Sequence, residues 1–382
     1  MTPNHISSGD GALMAEENEN AFKHQFGKEL LARIASSISE VYKDFDHRQF
    51  LSLAPSLKPL EMKARVRFLR DEISKLLPSD FPQALRILMD SVKAGKLEGF
   101  DLWVYTEFIQ THGLGHREES LEALKVLTTL FTSEWAVRPF LRQSPEPTLA
   151  FLLTCAAHQD EKVRRWASEG SRPRLPWGER LHQFIKTPGA TLPILESLKH
   201  DEALFVRTSV ANHLNDIAKD NPDFVLKILK KWQKEASGND KSKLDWIIRR
   251  ALRTLIKNGN PAALELIGVD ASAKISVTNF SVTPKDISLG DRITFGATIK
   301  SLSKSPQKLV IDYVLHLVKS HGGTAPKVFK CKVVTLKPGE TLDLGKSHHL
   351  KKVTTRTYYP GTNALELQIN GKSYGKRSWV LR

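Results

Sequence analysis

Two stretches of sequence decide how this chain folds. Residues 166–177 read WASEGSRPRLPW, and residues 209–220 read SVANHLNDIAKD. A Val-Arg pair precedes each stretch, at residues 163–164 and again 43 residues later at residues 206–207. A recurrence of about 40 residues is typical of proteins built from repeated helix pairs. The sequence therefore predicts helical repeats, and two repeats in register would bring the acidic residues of both stretches together.

Helical periodicity extends over residues 20–268. Apolar residues recur there every three or four positions, and prolines fall between the apolar segments, as helix breakers should. Such units stack into an all-α solenoid with a shared core and one extended concave face. Before the two registered repeats we predict helices, the last of them broken near Pro139, over residues 21–40, 60–76, 81–93, 100–111, 120–131 and 133–141.

The pattern changes from helical to alternating after residue 268. Apolar residues then occupy every second position, as in strands with one buried face. Asn370-Gly371 is a strong type I′ hairpin signal between two such runs. About seven strands in residues 272–382 favour a smaller all-β immunoglobulin-like sandwich. One of these alternating runs consists of Phe329, Cys331 and Val333, which the pattern places on one face of a strand.

Positive charge is concentrated in the C-terminal region. The chain has 382 residues and a formal net charge of +15. Residues 271–382 contain 15 Lys and 4 Arg against 6 acidic residues, so this region alone carries +13. A basic region of this kind is typical of nucleic-acid binding. A lysine-rich surface that only confers solubility remains the alternative interpretation.

Composition favours a soluble protein of the cytoplasm. No apolar run approaches the ~18 residues of a membrane-spanning helix, so no membrane partner is expected. Residues 1–19 lack the apolar core of a signal peptide and are predicted to form a flexible leader. Only two cysteines occur, Cys155 and Cys331, so a disulfide framework is not expected and a reducing compartment is. We expect a cytoplasmic, nucleoid-associated monomer.

Several well-known cofactor and metal motifs are missing from the sequence. It contains no Walker A loop, HExxH, CxxC, GxSxG or Rossmann fingerprint. Gly371-Lys372-Ser373 lacks the upstream glycine of a phosphate-binding loop and belongs to the predicted hairpin. We therefore predict no cofactor and no metal, and expect any chemistry to depend on carboxylates, water and aromatic surfaces.

Three acidic residues, Glu134, Glu169 and Asp216, are the candidates for chemistry. Each has a structural alternative, as a helix cap, a solvated charge or the partner of a nearby arginine, and the nearby arginines are Arg138, Arg164 and Arg207. The functional interpretation depends on the residues around them, which are Arg172, Arg174, Trp166 and Trp177. Carboxylates repel phosphates, so acids in a groove that faces DNA would attract something cationic.

At this point the sequence resembles a known family. The strings SEWAVRPFL (133–141), VRRWASEGSRPRLPW (163–177), FVRTSVANHLNDIAKD (205–220) and RRALRTLIKNGNPAALELIG (249–268) are similar to the AlkC branch of the AlkC/AlkD DNA alkylation repair glycosylases. That family is built from HEAT-like repeats, and the resemblance covers residues 20–268. Some of its members carry a C-terminal immunoglobulin-like domain that helps to hold DNA.

The resemblance implies a function and a set of site residues. AlkC-type proteins remove cationic N3-methylated bases, 3-methyladenine and 3-methylcytosine, from duplex DNA without flipping the lesion into a pocket. The family's catalytic acids fall on Glu134, Glu169 and Asp216. Trp166 is expected in the core. The residues expected to bind DNA are Trp177, Arg172, Arg174 and Arg207.

Two other functional classes stay open on the sequence. One is a non-enzymatic helical scaffold or lesion-sensing DNA binder, in which the acids would be paired within the repeats. The other is a metal-dependent nuclease, which would need clustered metal-binding carboxylates. Substitution of the acids distinguishes the first alternative from an enzyme, and sensitivity to EDTA distinguishes the second.

Overall fold

The computed structural model describes residues 22–95, 97–353 and 356–382. The predicted leader, residues 1–19, lies outside these ranges. The described residues form two compact units, the first ending at Phe151 and the second beginning at Leu152. Each unit is described by itself.

The first unit is helical. Two short 3₁₀ helices, Phe22–Gln25 and Ala54–Leu57, accompany its α-helices. The α-helices are α1 (Lys28–Val41), α2 (His47–Leu51), α3 (Met62–Leu76), α4 (Phe81–Lys93), α5 (Asp101–His112), α6 (Arg117–Leu127) and α7 (Arg138–Gln143), and α8 (Pro145–Cys155) continues into the second unit.

Helix α4 shows why the local sequence predicts helices well here. The Asp80 carboxylate accepts a hydrogen bond from the Gln83 backbone N–H at 3.0 Å and so caps the helix. Pro82 lies in the first turn, where no helical partner for its missing N–H is needed. The buried face carries Phe81, Leu85, Leu88 and Val92. The helix ends where the sequence predicts, at Lys93.

The helix predicted over residues 133–141 begins later than expected. Residues 134–137 form turns, and α7 starts only at Arg138. Pro139 therefore lies in the first turn of a helix and does not break one. The buried Ser133 hydroxyl donates to the Leu124 carbonyl at 2.9 Å, which anchors the turn to α6. Glu134 consequently lies in a turn before the helix.

The second unit opens with the predicted repeats. Three of its helices are α9 (Glu161–Gly170), α12 (Leu204–Ile217) and α14 (Gly238–Ala251), and α12 packs against both of the others. Val163 and Val206, the valines of the recurring pair, are both buried in the first turns of their helices. The connecting elements are α10 (His182–Lys186), the 3₁₀ helix Pro188–Thr191, α11 (Leu192–Leu198), α13 (Pro222–Glu235), α15 (Arg253–Lys257) and α16 (Pro261–Leu266).

The chain then forms a sandwich of two β-sheets. Strand order is β1-β3-β6 in one sheet and β2-β8-β7-β4-β5 in the other, and all pairs are antiparallel except β2 with β8. The two sheets enclose a core that includes Phe295, Leu367 and Trp379. The strands are β1 (Ile275–Thr283), β2 (Asp286–Ile287), β3 (Arg292–Ser301), β4 (Gln307–Val318), β5 (Thr324–Leu336), β6 (Thr341–His349), β7 (Gly361–Ile369) and β8 (Lys372–Leu381).

The hairpin between β7 and β8 is the predicted one. Asn370 and Gly371 have φ values of 46° and 79°, as a type I′ turn requires at both central positions. The predicted order of an all-α region followed by a smaller all-β sandwich is thereby confirmed.

One predicted strand face is wrong in its second half. The β4–β5 register shifts between Ile311 and Asp312, which pair with Lys332 and Lys330 and leave Cys331 as the extra residue. Because a one-residue shift exchanges the two faces of a strand, Val334 packs on the sandwich core and Val333 does not. Val333 is 41% exposed and lies on the outer face beside Val310.

The sandwich is attached closely to the last helices of the second unit. Val310 of β4 packs with Leu264 and Val269. A Cβ atom on Gly371 would lie 2.1 Å from the Cα atom of Gly259, so the two backbones approach as only glycines allow. The Asn370 side chain donates to the Asp270 carbonyl at 2.7 Å. Apolar packing, backbone contact and hydrogen bonding therefore act together at this junction.

Candidate functional site

Glu169 and Asp216 both lie near the C-terminal end of their helices, which pack against each other. Each is the second-last residue of its helix, Glu169 in α9 and Asp216 in α12. Both are buried, with exposures of 5% and 1%. Burying an ionised carboxylate is costly unless it is paired and hydrogen-bonded, so the surrounding donors matter.

Arg172 bridges the two carboxylates. Its Nη1 atom donates to Glu169 Oε1 at 2.5 Å, while Nε and Nη2 approach Asp216 Oδ2 at 2.8 and 2.7 Å. The sequence prediction that the two acids lie together is confirmed by this shared guanidinium. We call Glu169, Arg172 and Asp216 the carboxylate cluster.

Further donors complete the two carboxylates. Ser209 of α12 donates to Glu169 Oε2 at 2.5 Å, and Lys219 donates to Asp216 Oδ1 at 2.8 Å. Arg165 lies 3.5 Å from Glu169 Oε1. All four carboxylate oxygens thus have a donor, which fixes both groups in place. Sequence reasoning did not assign roles to Ser209, Lys219 or Arg165, although all three lie in or next to the matching strings.

The carboxylates favour the charged form of Arg172. Burial alone would lower the pKa of Arg172, but the charges and hydrogen bonds of Glu169 and Asp216 outweigh it and raise that pKa above its ordinary value. Arg172 also follows the C-terminus of α9, where a cation is favourable. Within the cluster one guanidinium faces two carboxylates, and Lys219 and Arg165 at its edge are two further cations paired with them.

The predicted DNA-binding residues lie in different surroundings. Arg172 is 6% exposed and is occupied by the carboxylate cluster. Arg174 forms a two-pronged pair with Asp220 at 2.6 and 2.7 Å, and this hydrogen bonding lowers the pKa of Asp220. Arg207 Nη1 donates to the carbonyls of residues 201 and 202 at 2.6 and 2.7 Å.

Trp177 is the exposed aromatic residue next to this region. Its side chain is 60% exposed. Its backbone φ is 63°, in the left-handed region that residues other than Gly and Asn rarely adopt. Such a conformation costs of order 1–3 kcal/mol and persists where the surroundings enforce it. Trp166, by contrast, is fully buried in the core, as predicted.

Glu134 belongs to the first unit. It lies in the turn before α7, largely buried, and its Oε2 atom accepts from the Thr132 hydroxyl at 2.8 Å. The adjacent Trp135 stacks on Trp103 with ring centroids 4.9 Å apart. The turn therefore carries a carboxylate beside an aromatic cluster.

Arg164 is paired with an acid other than the three candidates, whereas Glu169 and Asp216 are paired with Arg172. Arg164 forms a two-pronged pair with Asp201 at 2.6 and 3.1 Å and also donates to the His158 and Gln159 carbonyls. These contacts join the start of α9 to the loop before α12. Arg164 thus connects neighbouring repeats and is a useful contrast to Arg172.

Within the described ranges, no group of three or more His, Cys, Asp or Glu side chains is arranged to hold a metal ion. None of the helices in that same part of the chain is long and apolar enough to cross a membrane.

Comparison with known proteins identifies the family. A family model described as "Uncharacterised protein YhaZ, C-terminal Ig-like domain" matches residues 276–382. YhaZ of Bacillus subtilis (strain 168), described as uncharacterized, is 37% identical over 352 residues, which are 92% of this chain and 96% of YhaZ. The structure of Pseudomonas fluorescens alkylpurine DNA glycosylase AlkC, bound to DNA containing an abasic site analog, is 38% identical with a TM-score of 0.88, over 95% of this chain and 99% of that one. The β-sandwich is therefore immunoglobulin-like, and the chain belongs to the AlkC family of DNA alkylation repair glycosylases.

Proposed function

We propose that this protein is a monofunctional DNA glycosylase that removes cationic N3-alkylated bases, 3-methyladenine and 3-methylcytosine, from duplex DNA. Water replaces the base and an abasic site remains, as the first step of base excision repair. The observation that carries the proposal is the buried carboxylate cluster, in a chain similar over 95% of its length to an alkylpurine DNA glycosylase.

The chemistry needs no acid to protonate the leaving base. An N3-alkylated base already carries a positive charge, so it leaves as a neutral molecule. Positive charge develops on the deoxyribose as the bond breaks, in an oxocarbenium-like transition state. A carboxylate about 4 Å away stabilises that charge by roughly 4 kcal/mol at an effective dielectric near 20, which is close to a thousandfold in rate.

The cluster supplies this stabilisation in an organised form. Arg172, Ser209 and Lys219 hold the carboxylates by hydrogen bonds before substrate arrives. Fixed charges of this kind need little reorganisation during the reaction. We assign to Glu169 and Asp216 the stabilisation of the sugar cation and the orientation of the attacking water. Glu134 is assigned as a third acid acting on the same substrate.

Selectivity follows from charge in this proposal. Neutral bases gain much less from these carboxylates, because without protonation they would leave as anions, which nearby negative charge disfavours. A base that leaves readily needs no enclosing pocket, so we propose that the lesion is not flipped into one, in contrast to ordinary glycosylases. The exposed Trp177 indole is proposed to lie against the sugar or cationic base, adding about 1 kcal/mol.

DNA binding is assigned to both parts of the chain. We assign the chemistry to residues 20–268, with Arg174 and Arg207 as phosphate contacts, and assign most of the salt-sensitive affinity to the basic sandwich, residues 272–382. We expect a monomer in the cytoplasm, associated with the nucleoid. The alternative function is a non-enzymatic scaffold or lesion-sensing DNA binder.

The decisive experiment measures base release from duplex DNA that contains 3-methyladenine or 3-methylcytosine, with EDTA present. We expect wild type to release base and Glu169→Gln to be slower by about a thousandfold, with folding checked by circular dichroism.

A matched control for this experiment is Asp201→Asn. It breaks a different carboxylate–arginine pair, Arg164–Asp201, which joins α9 to the loop before α12, and should keep near-normal release per folded molecule. DNA binding without base release by wild type would support the scaffold, and loss of activity in EDTA would support a metal-dependent enzyme.

A further inference from the structure

A small cavity lies where the last helices of the second unit meet the outer face of β4 and β5. Its volume is about 140 Å³. Four apolar side chains form part of its wall, Ile256, Ile267, Val310 and Val333. Five cationic side chains and one carboxylate complete the lining: Arg249, Arg253, Lys257, Lys308, Lys330 and Asp312. We call the five cations the basic rim.

The basic rim is not neutralised by acidic partners. Within the described ranges, none of its five cations forms an ion pair with a carboxylate. Lys308 donates to the Ile267 carbonyl at 2.8 Å, and Arg253 donates to the Arg250 carbonyl at 2.7 Å. Asp312 is the only acid among the lining residues, so the cavity has an excess of four positive charges. Because of this excess positive charge, the cavity favours the binding of an anion.

The size of the cavity limits the kind of anion. Pockets for drug-sized ligands start at about 300 Å³, whereas this cavity has about 140 Å³ and suits a smaller group. A tetrahedral phosphate group is of this scale. Guanidinium groups suit phosphate oxygens because their N–H donors form a planar fork. The apolar wall suits the carbon atoms of an attached sugar.

The cavity adjoins the carboxylate cluster. Thr254, next to Arg253 at the start of α15, donates its hydroxyl to the Asn215 side chain at 2.9 Å, and Asn215 precedes Asp216. Burial lowers the pKa of Arg253, the charge of Arg250 lowers it further, and the nearby Asp216 offsets part of that effect. Arg253 therefore feels the charge of Asp216 while it lines the cavity. An anion held there would lie beside the proposed reaction site.

Both walls of the cavity are fixed relative to each other. Gln368 donates to the Lys257 carbonyl at 3.3 Å, and the close approach of Gly259 to Gly371 holds the β7–β8 turn against the helices. Lys308 reaches across from β4 to the end of α16. The cavity is thus preformed, which reduces the cost of ordering on binding.

From these observations we propose that the basic rim binds one phosphate group of the DNA strand whose damaged nucleotide faces the carboxylate cluster. The proposal rests on the proposed function only in taking DNA as the ligand. It names a site built jointly by helix and sandwich, so the immunoglobulin-like domain completes an anion site beside the reaction centre as well as adding general positive charge.

The test uses a duplex with an abasic-site analogue in which single phosphates near the lesion are replaced by neutral methylphosphonates. Wild type should lose affinity roughly tenfold at one position. The double variant Lys257→Ala/Lys330→Ala should bind native DNA roughly tenfold more weakly. A methylphosphonate at that same position should not weaken the binding of this variant any further. Its plot of log affinity against log salt should be shallower by about one.

A charge-matched control is Lys300→Ala/Lys304→Ala. Both lysines are exposed, in and just after β3. Their substitution removes two positive charges, as the rim variant does, but away from the cavity. The control should keep the wild-type methylphosphonate profile. Equal, additive losses for both double variants at every position would overturn the proposal, because the rim would then contribute only general charge. Circular dichroism checks that all variants fold.

Inorganic phosphate distinguishes a free anion from a DNA phosphate. Calorimetric titration of the full chain is made at constant ionic strength. Phosphate binding that Lys257→Ala/Lys330→Ala abolishes, together with no position-specific methylphosphonate effect, would show a free-phosphate site and overturn the assignment to DNA. Since none of these measurements needs base release, a position-specific effect in a protein without glycosylase activity would support the phosphate site while rejecting the enzymatic proposal.

Discussion

Two groups of arginines in the second unit differ in what neutralises them. Arg172 is buried between Glu169 and Asp216, whereas Arg249 and Arg253 line a cavity with no carboxylate partner among the described residues. The first group has its anions supplied by the protein and so holds fixed negative charge in place. Arg249 and Arg253 form no ion pair with a carboxylate in the described part of the chain, so they are suited to bind the anion of a ligand. Similar residue types thus serve opposite purposes a few helical turns apart.

The largest effect should come from removing Arg172. Arg172→Leu would leave two buried carboxylates without their shared cation, and breaking such a pair costs about 3–5 kcal/mol. Urea denaturation followed by circular dichroism measures this loss. Arg253→Leu is the control on the unneutralised side of the comparison and should change stability by less than about 1 kcal/mol. Equal losses for the two variants would show that the distinction between the groups is wrong.

A smaller effect is expected from Asp312, the carboxylate in the cavity. Burial raises the pKa of Asp312 to about 6 despite the charges of Lys257, Lys330 and Lys346. Its ordinary value is 3.8. The folded protein therefore keeps a proton that the unfolded chain releases, and the stability from this group falls as pH rises from about 4 to 6. The loss is at most about 3 kcal/mol.

Asp312→Asn should remove that pH dependence. The variant should gain stability relative to wild type at pH 7 but not at pH 4, as measured by urea denaturation at both values. Asp343→Asn, an exposed carboxylate of β6, serves as the control and should show no such difference. The prediction would be wrong if wild type became more stable from pH 4 to pH 6 and Asp312→Asn left that pH dependence unchanged. The charge of Asp312 would then be compensated in the folded protein, as the charge of Asp216 is.

The smallest effect is expected at Trp177. Its exposed indole contributes little to the core, so Trp177→Ala should change the unfolding free energy by no more than about 0.5 kcal/mol. Loss of about 1 kcal/mol of contact with substrate would slow base release roughly fivefold. The measurement is single-turnover release at saturating enzyme. Unchanged release would place the reacting nucleotide away from this side of the cluster.

The sequence predicted the positions of the acids better than their surroundings. The recurrence of residues 163–164 at 206–207 predicted that the two helices are neighbours. It did not fix the pairing of the acids, because Glu169 and Asp216 are 47 residues apart, about one helical turn out of the 43-residue register, and Arg172 bridges them. It could not show that Arg172 turns inward between them. A residue two positions beyond a helix can point either way, and only the packing of α9 on α12 decides.

Local errors in the prediction have local causes. Pro139 is compatible both with a broken helix and with a helix start, and the buried Ser133 contact selects the latter. The face of Val333 depends on a one-residue bulge in β5 that alternation does not record. The cavity was beyond prediction because its lining comes from residues 249–333, which meet only through tertiary packing.

The contact between Gly259 and Gly371 limits which sequence changes this protein can accept in evolution or in protein engineering. A side chain at either glycine would collide with the opposing backbone, so both positions must stay glycine as long as this contact is kept. Removing residues 271–382 would also uncover Leu264 and Val269, which pack with Val310. The sandwich is therefore packed on the helices as part of one structure and cannot be removed without exposing their apolar residues. A chimera should therefore exchange the sandwich together with α15 and α16, or keep both glycines where the sandwich meets the helices.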